Sequence, residues 1–153
     1  MRRILIALLL AASFVALAAD VVPGGRVVKV LPFLLDLQGR EAKSPSLFDR
    51  DAYQAYLREH TNEISAMRFD IQWKATKAGD ENLKIRLELR GVGDQGMPTT
   101  KTFETNAPAG VFHQWTMFAL AGDERKKLGA VVAWRATLWN GDQLFGEQQS
   151  FLW

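Results

Sequence analysis

The chain has 153 residues, of which 19 are basic and 17 acidic, with two histidines and no cysteine. Lacking cysteine, it has no disulfide staple, no thiolate metal ligand and no thiol nucleophile, so packing alone must hold the domain it forms. Charges of both signs are interspersed, without the clustered Lys and Arg that nucleic acid or an anionic membrane surface requires, and neither partner is expected.

Residues 1–18 read as an export signal. Arg2 and Arg3 form a positive start, residues 4–17 are apolar apart from Ser13, and Ala16, Leu17 and Ala18 supply the small-x-small pattern of a signal-peptidase site. A retained anchor is the competing reading, but the apolar run ends near Ala19, short of the ~20 residues that cross a bilayer as a helix. A lipid anchor at the cleavage site would need a cysteine. The expectation is cleavage before Ala19, no stable membrane insertion afterwards, and a periplasmic or extracellular protein. Removing residues 1–18 takes Arg2 and Arg3 and no acidic residue, which leaves a neutral mature chain of a length that suits one domain.

Residues 19–25, ADVVPGG, have no periodicity and read as a flexible lead. Residues 27–37 are densely apolar with Pro32 inside, which predicts an edge strand or two short strands, because proline donates nothing to a ladder. Ser44, Pro45 and Ser46 mark a turn before a short helix over 49–59. Ser46 or Asp49 can cap it, and its apolar side is read as Phe48, Ala52, Ala55, Tyr56 and Glu59.

The period then changes to two. Met67, Phe69, Ile71 and Trp73 alternate with Arg68, Asp70, Gln72 and Lys74, and Leu83, Ile85, Leu87 and Leu89 alternate with Lys84, Arg86, Glu88 and Arg90. A polar loop containing Gly79, Asp80 and Asn82 joins them. Paired directly, they would set Asp70 against Arg86 and Arg68 against Glu88; placed in opposite sheets, they would meet through their apolar faces. The pattern leaves both arrangements open. Four more strands follow over 99–105, 111–120, 130–139 and 143–153. The polar stretch 122–129 suits a helical turn passing from one sheet to the other. Asn140 and Gly141 signal a type I′ hairpin turn.

This order of about seven strands, ending in VVAWRATLWNGDQLFGEQQSFLW, resembles the immunoglobulin-like or fibronectin type III-like sandwiches of exported bacterial proteins. The resemblance is one of pattern and covers residues 26–153. It implies an all-β, antiparallel immunoglobulin-like sandwich of about seven strands with one short peripheral helix, in which Trp134 or Trp73 takes the buried-tryptophan place. It carries over no functional residue. Folds of this type serve adhesion, accessory, chaperone and receptor roles, so they favour binding without naming a ligand.

Catalytic and cofactor motifs fail on context. Gly91, Gly93 and Gly96 spell G-x-G-x-x-G after a strand, but Met97 and Pro98 lead into another β-rich run where a dinucleotide site needs a helix start. A hairpin loop is expected there. His60, read as an exposed residue after the helix, and His113, read within a strand, have no metal-ligand spacing, and no serine stands in a G-x-S-x-G elbow. Neither metal nor cofactor is expected. Asp49, Asp51, Glu59, Glu63, Asp80 and Glu81 are the acids from which a carboxylate pair would be drawn.

The aromatics offer the better candidate. Trp134 and Leu138 share a face with Val132 and Ala136 and should be core, which puts Trp139 on the opposite face. With a three-residue hairpin loop, Arg135 stands opposite Glu147, and Trp139, Phe145, Phe151 and Trp153 gather on one side as a ligand platform. Alternatively the helix, through Phe48, Tyr53 and Tyr56, or the strand around Phe33 covers that side. The expected function is thus a non-catalytic binding or interaction module for a protein or glycan, with an exported hydrolase using fold-assembled carboxylates as the alternative. Mass spectrometry of protein from a secreting host is expected to find a new N-terminus at Ala19 or within about two residues of it; intact Met1 in the membrane fraction would contradict cleavage.

Overall fold

A computed structural model describes residues 24–76, 82–107 and 113–153, so the signal segment, most of the lead, and Gly79, Asp80 and Glu81 lie outside the described residues. The elements run β1 (Gly24–Asp36), α1 (Leu47–Glu59), β2 (Ile64–Thr76), β3 (Leu83–Val92), β4 (Pro98–Asn106), β5 (Gln114–Ala121), α2 (Gly122–Leu128), β6 (Ala130–Asn140) and β7 (Gln143–Gln149). They form two antiparallel sheets, β1-β2-β5 and β4-β3-β6-β7. The fold is therefore an all-β sandwich of seven strands, with two short helices where one was expected. The 122–129 stretch is the second, a seven-residue helix that carries the chain from one sheet to the other. Gly24 and Gly25, assigned by sequence to the lead, already belong to β1, where they pair with Thr76 and Ala75.

β2 and β3 lie in opposite sheets, which settles the pairing that alternation left open. Phe69, Ile71 and Trp73 of β2 are buried in one core with Ile85, Leu87 and Leu89 of β3. Each such side chain contributes about 1.5–3 kcal/mol by leaving water. The cross-strand ion pairs of the direct-pairing alternative do not form. Arg68 pairs with Asp70 on its own strand, Arg86 with Glu104 of β4, and Glu88 with Arg135 of β6.

Of the two tryptophans named from the sequence, Trp73 is the fully buried one, and its Nε1–H donates to Thr116 Oγ1 at 2.9 Å. Trp134 packs against the same core but stays half-buried. Val132 is exposed, contrary to the expectation that it shares the inner face. The register shifts there, with Gly91 opposite Val131 and Arg90 opposite Ala133, so Val132 is an extra residue that faces out.

β1 is an edge strand, as Pro32 requires, and α1 lies against it. Ser46 Oγ accepts from the Asp49 amide and caps the helix. The buried face of α1 is Tyr53, Gln54 and Leu57, whereas Phe48, Ala52, Ala55, Tyr56 and Glu59 are exposed. Hydrogen bonding decides the facing. Gln54 Oε1 accepts from the Leu34 amide, and its Nε2 donates to the Leu34 carbonyl, both at 2.8 Å. One side-chain amide thus meets the outer edge of β1 as a neighbouring strand's backbone would.

Asp36, at the end of β1, is buried and gathers the turn that follows. Its carboxylate accepts from the amides of Gln38 and Arg40, from the Arg40 guanidinium and from the Tyr53 hydroxyl. Burial pushes its pKa up, but the Arg40 amide and guanidinium, the Tyr53 hydroxyl and the Gln38 amide outweigh it and hold the group well below the usual carboxylate range. The stabilisation from this charge is therefore complete above the unfolded-state value of ~3.9 and is lost as pH falls through the lower folded value. Asp36→Asn is expected to lower the melting temperature at neutral pH. The gap from wild type should narrow as pH is brought from about 5 to about 2, measured by thermal unfolding across that range; a gap that stays constant would show that the charge is not the cause.

Candidate functional site

The terminal hairpin divides the four aromatic residues that sequence placed together. Asn140 pairs with Gln143, so the turn residues are Gly141 and Asp142, one position later than expected. Only Gly141 has a positive φ, +56°, which excludes the type I′ turn. Leu138 faces Gly146 while Trp139 faces Leu144, leaving Phe145 extra, and it packs against the core. The shift also brings Arg135 opposite Gln149 instead of Glu147, and its guanidinium bonds Glu88 at 2.8 Å.

Trp139 lies half-buried, its Nε1–H donating to Thr137 Oγ1 at 2.8 Å and the Arg86 guanidinium 5.4 Å from its ring centre. β7 stops at Gln149, because Ser150 bonds Trp134 through both its backbone and its hydroxyl and the chain then turns. That turn places the Trp153 ring 4.0 Å from the Arg90 guanidinium and 5.1 Å from that of Arg135. Phe151 stands fully exposed on the turn. The four are therefore no single strip: Phe145 is half-buried against the core, Phe151 stands apart, and Trp139 and Trp153 each carry arginine. What lies on those two rings is neither α1 nor β1 but guanidinium from β3 and β6.

Of the remaining candidate groups, Asp49, Asp51, Glu63 and His60 have local partners, Asp51 at 3.6 Å from Arg50. Asp49 accepts from Ser44 Oγ at 2.6 Å, and Glu63 from the Tyr56 hydroxyl at 2.7 Å, a bond that raises the Tyr56 pKa. His60 caps α1 and stacks on Tyr56 at 3.9 Å. His113 precedes β5 instead of lying within a strand, and it is exposed. Among the described residues no group of three or more His, Asp or Glu is placed to hold a metal ion. The G-x-G-x-x-G stretch is the β3–β4 connection. Gly91 leaves no room for a Cβ because the carbonyl and side chain of Leu128 press against it, so the glycine serves the seating of α2.

Sequence reading missed the outer face of the three-stranded sheet. There Trp115 and Met117 of β5 are 47% and 65% exposed. Beside them lies a shallow groove of about 290 Å³, lined also by Leu31 and Phe33 and crossed by the Arg68–Asp70 ion pair. The register sets Leu31, Asp70 and Met117 in one row across the sheet. β5 itself, QWTMFALA, carries no charge and no proline, and it is the terminal strand of its sheet.

Of the other terminal strands, β7 lies close against β1, where Gly146 leaves no room for a Cβ beside the Arg26 backbone, and β1 and β4 carry side-chain contacts. β1 is bonded by Gln54 and, at the Val28 carbonyl, by Gln148 of β7. β4 is rich in threonine, and its Lys101 pairs with Glu124 of α2. At β5 no side chain bonds the strand's backbone among the described residues, and a charged group beside it is Lys29 of β1, whose Nζ lies 5.2 Å from the Trp115 ring centre. The sequence signal was weak because Trp115, Met117 and Ala119 alternate with Thr116, Phe118 and Leu120, and two apolar faces do not reveal which is outside.

Comparison with known proteins found no matching family model, no similar curated protein and no similar solved structure. No helix among the described residues is long and apolar enough to cross a membrane. The two kinds of tryptophan differ in what their loss should do. Trp73→Ala is expected to cost ~3–5 kcal/mol, and Trp153→Ala only about 1 kcal/mol from its arginine contacts, compared by urea midpoint; equal losses would place Trp153 in the core.

Proposed function

We propose that the chain is an exported, non-catalytic interaction module that takes an extended segment of a protein partner along β5. The observation that carries this reading is an uncharged strand edge, unpaired among the described residues, flanked by exposed Trp115 and Met117. An open edge offers a row of backbone donors and acceptors, and an added strand satisfies them while its alternate side chains find pockets on the face. The groove beside Met117 supplies apolar walls from Leu31 and Phe33 and a polar floor from Arg68 and Asp70. The three-and-four strand order supports assigning the sandwich to the immunoglobulin-like, fibronectin type III-like kind that the terminal hairpin resembles.

A glycan platform has less support, because Phe145 packs partly into the core and Phe151 stands apart, so the four aromatics form no continuous strip. The hydrolase alternative would need facing carboxylates, and the described ones nearest to that role, Asp49 and Glu63, are held by neighbouring hydroxyls. A photo-crosslinking residue placed at Met117 in the producing cells is expected to give a defined adduct, and the same residue at Thr102 on β4 none. Adducts at both positions, or at Thr102 alone, would refute the β5 assignment. In a separate preparation, Met117→Lys should leave the melting transition unchanged, since it adds charge to an already exposed edge position.

A further inference from the structure

A second opening lies between the sheets, at the end where α1 and α2 sit. It has a volume of about 360 Å³, within the ~300–1,000 Å³ typical of small-molecule sites. Its walls are mostly apolar, Leu34 of β1, Ile64 and Met67 of β2, Leu120 of β5 and Val131 of β6, with Thr61 adding a hydroxyl. Two guanidiniums line it, Arg58 from α1 and Arg125 from α2, and no acidic residue does.

Both arginines are uncommitted. Arg40, Arg68, Arg86 and Arg135 are in ion pairs with Asp36, Asp70, Glu104 and Glu88, and Arg90 stacks on Trp153. The Arg58 and Arg125 guanidiniums have no ion pair, hydrogen bond or ring contact among the described residues; the Arg125 backbone carbonyl accepts from the Gly129 amide that closes α2. The acids of α2 are engaged elsewhere, Glu124 with Lys101 and Asp123 with Lys126. Gln54, which also lines the opening, spends its amide on Leu34 and Glu41 and offers the cleft nothing polar.

An apolar cleft lined by two unpaired cations is complementary to an anion with a single apolar tail. We propose that it binds a free medium-chain fatty acid, its chain against Leu34, Met67 and Leu120 and its carboxylate between Arg58 and Arg125. A guanidinium pairs with a carboxylate through parallel N–H donors, and the apolar walls select for the chain. The modest volume favours one chain with a small head over a two-chain lipid. This site is distinct from the β5 edge and does not depend on it.

Isothermal titration of the mature protein with decanoate, below its micelle concentration, is the direct test. One decanoate per chain is expected, with decanol binding at least about tenfold more weakly because it cannot form the charged pairs. The double variant Arg58→Gln, Arg125→Gln should bring decanoate down to the level of decanol and leave decanol unchanged. Val131→Phe, which fills the cleft, should abolish both. Should Val131→Phe fail to fold, the arginine variant decides alone, since neither guanidinium is in an ion pair whose loss would destabilise the fold. Absence of decanoate binding, equal affinity for acid and alcohol, or wild-type decanoate affinity in the arginine variant would each overturn the proposal. Met117→Lys should not alter decanoate binding, so this test and that of the β5 edge fail or succeed separately.

Discussion

The packing of β2 on β3 is the contact on which everything else in this molecule depends. With no cysteine to staple the sheets, their cohesion comes from Phe69, Ile71 and Trp73 meeting Ile85, Leu87 and Leu89 across the core. Because alternation is strict, burying these faces forces every charged partner outward. Each sheet then neutralises its own outer face, Arg68 with Asp70 on one and Arg86 with Glu104 and Glu88 with Arg135 on the other. Glu104 is held below its usual carboxylate pKa by the hydrogen bonds from Arg86 and Lys84. These surface pairs add little to stability singly, but they keep the two sheets from pairing in the alternative way that the same charges would permit.

Once the core is closed, the unpaired strand edges become the open question, and they are treated unequally. β1 meets the Gln54 amide and the Gln148 side chain, and β4 brings a lysine to α2. An edge that is left apolar and uncharged among guarded ones needs either a partner or a risk of aggregation, and that contrast gives β5 its significance.

Element type and order were legible because period-two alternation is a local property. The two faces of β2 and β3 were read correctly, as were the edge position of β1 and the hairpin nature of the G-x-G-x-x-G stretch. What could not be read depended on single-residue register. One extra residue in β6 turned Val132 outward, and one in β7 sent Phe145 inward, dissolving the expected aromatic strip. The facing of α1 was missed for another reason. A glutamine counts as polar in any periodic reading, yet Gln54 is buried because it serves as backbone to Leu34. The β5 surface was hidden because both of its faces are apolar.

The Gln54 contact also bears on how the molecule opens. Since α1 is tied to β1 by side chains, Gln54 at Leu34 and Tyr53 at Asp36, and not by a ladder, detaching the helix breaks no bond between β1 and β2. The helix can then detach without the sheet opening, at the cost of exposing Tyr53, Leu57 and Ile64 to water. The Leu34 amide belongs to both, lying in β1 but bonded to α1. Its hydrogen-exchange protection would follow the helix, not the strand in which it sits, making it a built-in reporter of how often the end of the sandwich stands uncovered.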